Sequence, residues 1–76
     1  MEKKIKEIIM ENRPDIDDIE NAEFITDGIF DSFDIVTLVA EFDKAFGISI
    51  DGLDITPTNF NDINSIASLL RKNGAK

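Results

Sequence analysis

The sequence contains no cysteine, no histidine, no tryptophan and no tyrosine, and only two prolines in 76 residues. Without cysteine there is no disulfide framework, no thiolate metal site and no thiol nucleophile. Without histidine, no serine in the chain has the usual general base, so a serine hydrolase is excluded as a reading. No segment approaches the roughly 18 apolar residues of a membrane span. Met1-Glu2-Lys3-Lys4-Ile5-Lys6 is charged, but no continuous apolar run of the kind found in a secretory leader follows it. The expectation is one cytoplasmic, monomeric domain over residues 1–76 with no membrane partner. Hydrophobic residues make up 42% of the chain, six of them Phe, which suffices for a core and argues against disorder.

Positive charge is also scarce. The chain has 16 acidic and 8 basic residues, a formal charge of −8. Between Pro14 and Leu70 there are thirteen acidic residues against Lys44 alone, the other basic residues lying towards the two ends. Such a field repels nucleic acid and steers basic protein surfaces inward, raising association rate more than affinity. The acidic run beginning at Asp15, Asp17 and Asp18 starts like a calcium loop. It then places Ile19 and Glu20 at positions five and six, where a ligand and a glycine belong, and Thr26 where a bidentate glutamate is required. No metal site is therefore assigned.

Ile5, Ile8 and Ile9 at helical spacing predict a first helix over about residues 2–12, stopped by Asn12-Arg13-Pro14. A long connection, 14–31, follows, in which Asp15, Asp17, Asp18, Glu20, Glu23 and Asp27 are interspersed with Ile16, Ile19, Phe24, Ile25, Ile29 and Phe30 that can pin it. The second helix is predicted over Ser32–Phe46, with Asp31 or Ser32 as N-cap and Gly47 as its stop. Ile35, Leu38, Val39, Phe42 and Phe46 form its core stripe; Phe33, Val36, Thr37 and Ala40 lie on an adjoining face. Ile48–Ile50 is read as loop. Thr56 as a cap and Pro57 as first helical residue predict a short helix that includes Phe60. A last helix is expected from Asn61 or Asp62, through Ile63, Ile66, Ala67, Leu69 and Leu70, fraying at Asn73-Gly74. The fold class is all-α: a small four-helix bundle, three helices longer and one short, with a long loop between helices 1 and 2.

The stretch with most chemical content is Asp27-Gly28-Ile29-Phe30-Asp31-Ser32-Phe33-Asp34. It sets a serine between two aspartates at a helix start, where backbone N–H groups and the helix dipole tolerate an added phosphate. Asp31 and Asp34 have no His, Tyr or Lys nearby to complete an acid–base pair, so capping and dipole complementarity explain them better than catalysis. Ser32 is read as receiving a group and not as performing a reaction; no enzymatic activity is expected.

This region resembles the modification site of the acyl carrier protein superfamily, an Asp-Ser-apolar motif after a glycine-containing loop. Ile35-Val36-Thr37-Leu38-Val39-Ala40-Glu41-Phe42-Asp43-Lys44-Ala45-Phe46-Gly47-Ile48 is similar to that family's second helix, and Ile55–Phe60 and Ser65–Leu70 look like its third and fourth. The resemblance spans nearly the whole chain. It implies that Ser32 carries 4′-phosphopantetheine, transferred from coenzyme A by a phosphopantetheinyl transferase, with Asp31 helping to present the serine. It further implies that acyl or aminoacyl groups ride on the arm as thioesters, in fatty-acid, polyketide, nonribosomal-peptide or related biosynthesis. Phe33, Val36 and Ala40 would centre the contact with loading and processing enzymes, and Asp34, Glu41 and Asp43 would form an acidic rim for their basic patches. Val36 reads equally as a residue at the edge of the core. The chain departs from fatty-acid carriers at Phe33, in place of the usual Leu, at Thr37, where they often have Glu, and at Lys44. Its Thr56-Pro57…Phe60 segment is more similar to carriers of aminoacyl, D-alanyl or specialised acyl groups. The competing reading is an unmodified acidic helical interaction domain in which Ser32 is only a helix N-cap.

Overall fold

The structure, a computed structural model, describes residues 1–76. It is all-helical, with three α-helices and no strand: α1 (Glu2–Asn12), α2 (Ser32–Phe46) and α3 (Ile63–Lys72). No helix is long and apolar enough to cross a membrane. The helix limits follow from local chemistry. Pro14 disfavours helical backbone at the residue before it, and Arg13 leaves the helical region at φ −136°, ψ 71°, ending α1. Gly47 stops α2 in the left-handed conformation at φ 62°, its N–H donating to the Asp43 carbonyl. Asp62 starts α3, its carboxylate accepting from the Ser65 N–H at 2.7 Å.

Helix α1 packs against both α2 and α3, so Ile5, Ile8 and Ile9 lie at the centre of the core with Leu38, Phe42, Ile66 and Leu70. On α2, Leu38 and Phe42 are buried, whereas Ile35, Val39 and Phe46 are half-buried and close the edge of the core. Val36 is 67% exposed, which removes the core-edge reading of that residue.

The short helix expected after Thr56 is a single 3-10 turn, Pro57–Phe60, and a second 3-10 turn, Gly52–Asp54, precedes it. Thr56 makes no side-chain cap; its carbonyl accepts from the Asn59 N–H instead. The reason is reach. The Asn59 side chain donates back to the Asp54 carbonyl at 2.7 Å, and Phe60 is fully buried, so the segment is held at both ends within one tight turn.

The long connection between α1 and α2 is pinned as its apolar residues predict. Phe24 and Phe30 stack at 4.4 Å between ring centroids, and both are buried. Between them the chain turns through Gly28 at φ 69°. Asn61, 35 and 36 residues away in sequence, fastens this turn. Its side-chain oxygen accepts from the N–H groups of Ile25 and Thr26, each at 2.9 Å, and its carbonyl accepts from the Phe24 N–H at 2.6 Å.

Replacing Asn61 by Ala leaves the Ile25 and Thr26 N–H groups without their acceptor. The expected cost is about 1–2 kcal/mol of stability. Hydrogen exchange should speed at those two amides more than at the α1 core amides; uniform exchange would count against Asn61 as the fastening residue.

Candidate functional site

Ser32 emerges where the pinned loop becomes a helix. Phe30 is buried, Asp31, Ser32 and Phe33 are exposed, and the chain then enters the first turn of α2. Asp31, not Ser32, is the N-cap: its Oδ1 accepts from the Asp34 N–H at 2.9 Å. In return Asp34 Oδ2 accepts from the Asp31 N–H at 3.2 Å, completing a reciprocal capping box. Ser32 is therefore the first helical residue, and its hydroxyl is not used as the cap. This corrects the interaction-domain reading on the point that Ser32 is the helix cap. The N–H groups of Ser32 and Phe33 lie in the first turn, where no preceding helical carbonyl can accept them.

A residue that sequence reasoning used only as a helix stop completes the geometry. Arg13 Nη1 donates to Asp34 Oδ2 at 2.8 Å and to the Ile29 carbonyl at 2.7 Å. Its Nε and Nη2 grip both oxygens of Asp15 at 3.0 and 2.9 Å. One guanidinium thus joins the end of α1, the approach to Ser32 and the first turn of α2. The Asp15 hydrogen bond, followed by the charges of Asp34 and Asp15, holds Arg13 above its already high pKa, and Arg13 holds Asp15 below the ordinary aspartate value.

The exposed face beside the serine has an apolar centre. Phe33 is 82% exposed, and Val36, Thr37 and Ala40 are exposed as well. The expected acidic rim divides. Glu41 is exposed and its carboxylate makes no intramolecular hydrogen bond. Asp34 is paired with Arg13, and Asp43 is half-buried with Oδ1 accepting from the Ile50 N–H at 2.9 Å. Two further exposed apolar residues, Leu53 and Ile55, lie in and just after the first 3-10 turn, outside the face read from sequence. The largest cleft, open and about 370 Å³, is lined by Arg13, Asp15, Asp17, Asp18 and Asp27 among others, and does not include Ser32. No three carboxylates converge in a way that could hold a metal ion. Compared with protein-family models, curated proteins and solved structures, the chain matches none.

Because Asp31 supplies the cap, Asp31→Ala should lower stability by about 1 kcal/mol, whereas Ser32→Ala should stay within about 0.5 kcal/mol of the parent. Urea denaturation compares the two, and a larger loss for Ser32→Ala would reverse the assignment of the cap. A pH series tests a second ion pair, Asp54 with Lys72 at 2.8 Å. The Lys72 hydrogen bond depresses Asp54, and Asp54 raises Lys72. The aspartate's contribution is full above its ordinary value of 3.8 and is lost as pH falls through its lower folded value. The lysine's contribution is full below 10.5 and is lost as pH rises through its higher folded value. Asp54→Asn should weaken the protein across neutral pH and flatten its acid limb below about pH 4. Thermal melts from pH 2 to 7 would show this as convergence of variant and parent at the acid end.

Proposed function

We propose that the chain is a discrete carrier protein that receives 4′-phosphopantetheine on Ser32 and presents acyl or aminoacyl thioesters to partner enzymes. On this reading the Pro57–Phe60 turn is the counterpart of the short helix in the four-helix carrier frame. The observation that carries the proposal is the exposed Ser32 hydroxyl at the first position of α2, left free because Asp31 supplies the cap. An added phosphodiester would meet the unpaired first-turn N–H groups and the positive end of the α2 dipole. Asp31 holds the turn so that the hydroxyl faces outward.

In the modification, Ser32 Oγ forms a bond to the phosphorus that bears the pantetheine arm of coenzyme A. The bond from that phosphorus to the bridging pyrophosphate oxygen breaks, releasing adenosine 3′,5′-bisphosphate. The serine proton passes to a base on the transferase, since the chain itself has no histidine. When attached, the arm supplies the thiol that a cysteine-free chain lacks. Phe33, Val36 and Ala40 offer an apolar contact to partners, and Asp31 and Glu41 are the acidic groups beside it that remain accessible to basic patches. A cytoplasmic, monomeric shuttle with no activity of its own fits this role.

The exposure of Phe33 and Val36 also favours the second reading, an unmodified domain that binds one protein partner through that face. Intact mass after incubation with coenzyme A, magnesium and a broad-specificity phosphopantetheinyl transferase separates the two. The carrier gains one phosphopantetheine, and Ser32→Ala gains none while remaining folded. A folded parent that stays unmodified with two different transferases supports the interaction domain instead.

A further inference from the structure

We propose that Arg13, which lies outside the Asp31-Ser32 motif, is the positioning residue of the Ser32 modification site, an inference that rests on the carrier reading. Ser32 shares the first turn of α2 with two carboxylates, the cap Asp31 and its box partner Asp34. A phosphodiester at Ser32 adds a third negative group to that turn. The dipole of one helix end is equivalent to only about half a charge, so it does not balance three.

Arg13 brings the one positive charge near this turn from another element, shared between Asp34 and Asp15. Its guanidinium donates to Asp34 Oδ2, the same oxygen that accepts from the Asp31 N–H. The pairing is partly shielded, with the Arg13 and Asp34 side chains 27% and 24% exposed. Screening by salt is weaker for such a pair than for one on the open surface. Lys44, the one basic residue between Pro14 and Leu70, lies in the last turn of α2 and cannot serve the first.

Arg13 also fixes the approach to the serine. The bond from Nη1 to the Ile29 carbonyl holds the chain two residues before Asp31. The two bonds to Asp15 prevent the guanidinium from turning away. Arg13 is thus positioned to act in two ways. It holds the Ser32 backbone in one orientation for the transferase, and it offsets part of the Asp34 charge before the phosphodiester arrives. A residue that only joined α1 to α2 would stabilise the unmodified and modified proteins equally. A residue that balances charge at Ser32 stabilises the modified protein more.

The test compares the parent, Arg13→Gln and Arg13→Lys, each before and after modification. Glutamine removes the charge and keeps a shorter hydrogen-bonding side chain; lysine keeps the charge and loses the fork. Thermal melts of both forms and the kcat/KM for transfer from coenzyme A are measured at a temperature where all variants are folded. Arg13→Gln should lose more Tm in the modified form than in the unmodified form, and its transfer kcat/KM should fall about tenfold. Arg13→Lys should recover most of the difference between the two forms. Adding Asp34→Asn to Arg13→Gln removes the unbalanced carboxylate and should also close that gap. Equal Tm losses in both forms together with an unchanged kcat/KM would overturn the proposal and leave Arg13 a purely structural tie. A parent that is never modified would instead overturn the carrier reading beneath it.

Discussion

The arrangement around α2 depends on one guanidinium placed in an acidic neighbourhood. Arg13 follows α1 directly, and its donors reach Asp15, the Ile29 carbonyl and Asp34. The planar fork of arginine allows these bonds to be made at once, which a lysine could not do. Half-exposed ion pairs of this kind contribute little net energy in isolation. The importance of this one is geometric. It joins segments distant in sequence at the point where the long connection turns into α2, and it does so where repulsion among carboxylates would otherwise push them apart.

Elsewhere, the loops are held by side chains that substitute for regular backbone ladders. Asn61 accepts three donors from Ile25 and Thr26. Asn73 accepts from the Asp51 N–H while donating to the Leu69 carbonyl. Asp51 caps the first 3-10 turn through the Leu53 N–H. These bonds satisfy backbone groups that the α-helices cannot reach. They also let Phe24, Phe30 and Phe60, none of them in an α-helix, enter the core fully or nearly so. Ser32 therefore stands at the junction of two fixed parts, a pinned loop and a capped helix.

The helix ends were readable because each has a local cause. Pro14 bars helical backbone before it, Gly47 accepts the left-handed conformation, and Asp62 caps its own turn. The outward position of Phe33 was readable from the period of α2, whereas Val36, read equally as a core-edge residue, was settled only by its exposure. The choice of cap between Asp31 and Ser32 was also present in the sequence. Asp34 stands three residues after Asp31, as a reciprocal box requires, whereas the residue three after Ser32 is Ile35. What could not be read were partners far apart in the chain. Arg13 meets Asp34 across 21 positions and Asn61 meets Ile25 across 36, and no periodicity encodes either pairing. The same limit explains the 3-10 turn at Pro57–Phe60. Thr56-Pro57 marks where a helical turn begins, but its pitch depends on Asn59 reaching Asp54 and on Phe60 reaching the core.

The packing of α2 narrows what a carrier built this way can hold. Leu38, Phe42 and Ile66 are almost fully buried, and none of the surface clefts is lined by them or by Phe46. A long acyl chain drawn between the helices would need space that the core does not contain. Forcing extra methylenes into a filled core typically costs about 1–3 kcal/mol through displaced side chains. A short acyl or aminoacyl group at the end of a solvated arm incurs no such cost. If Ser32 carries the arm, the packing therefore favours a small cargo presented outside the bundle. Recognition would then fall to the exposed face itself. On that reading the acidic field would bring a basic partner in, and the exposed Phe33 and Val36 would provide the desolvated contact.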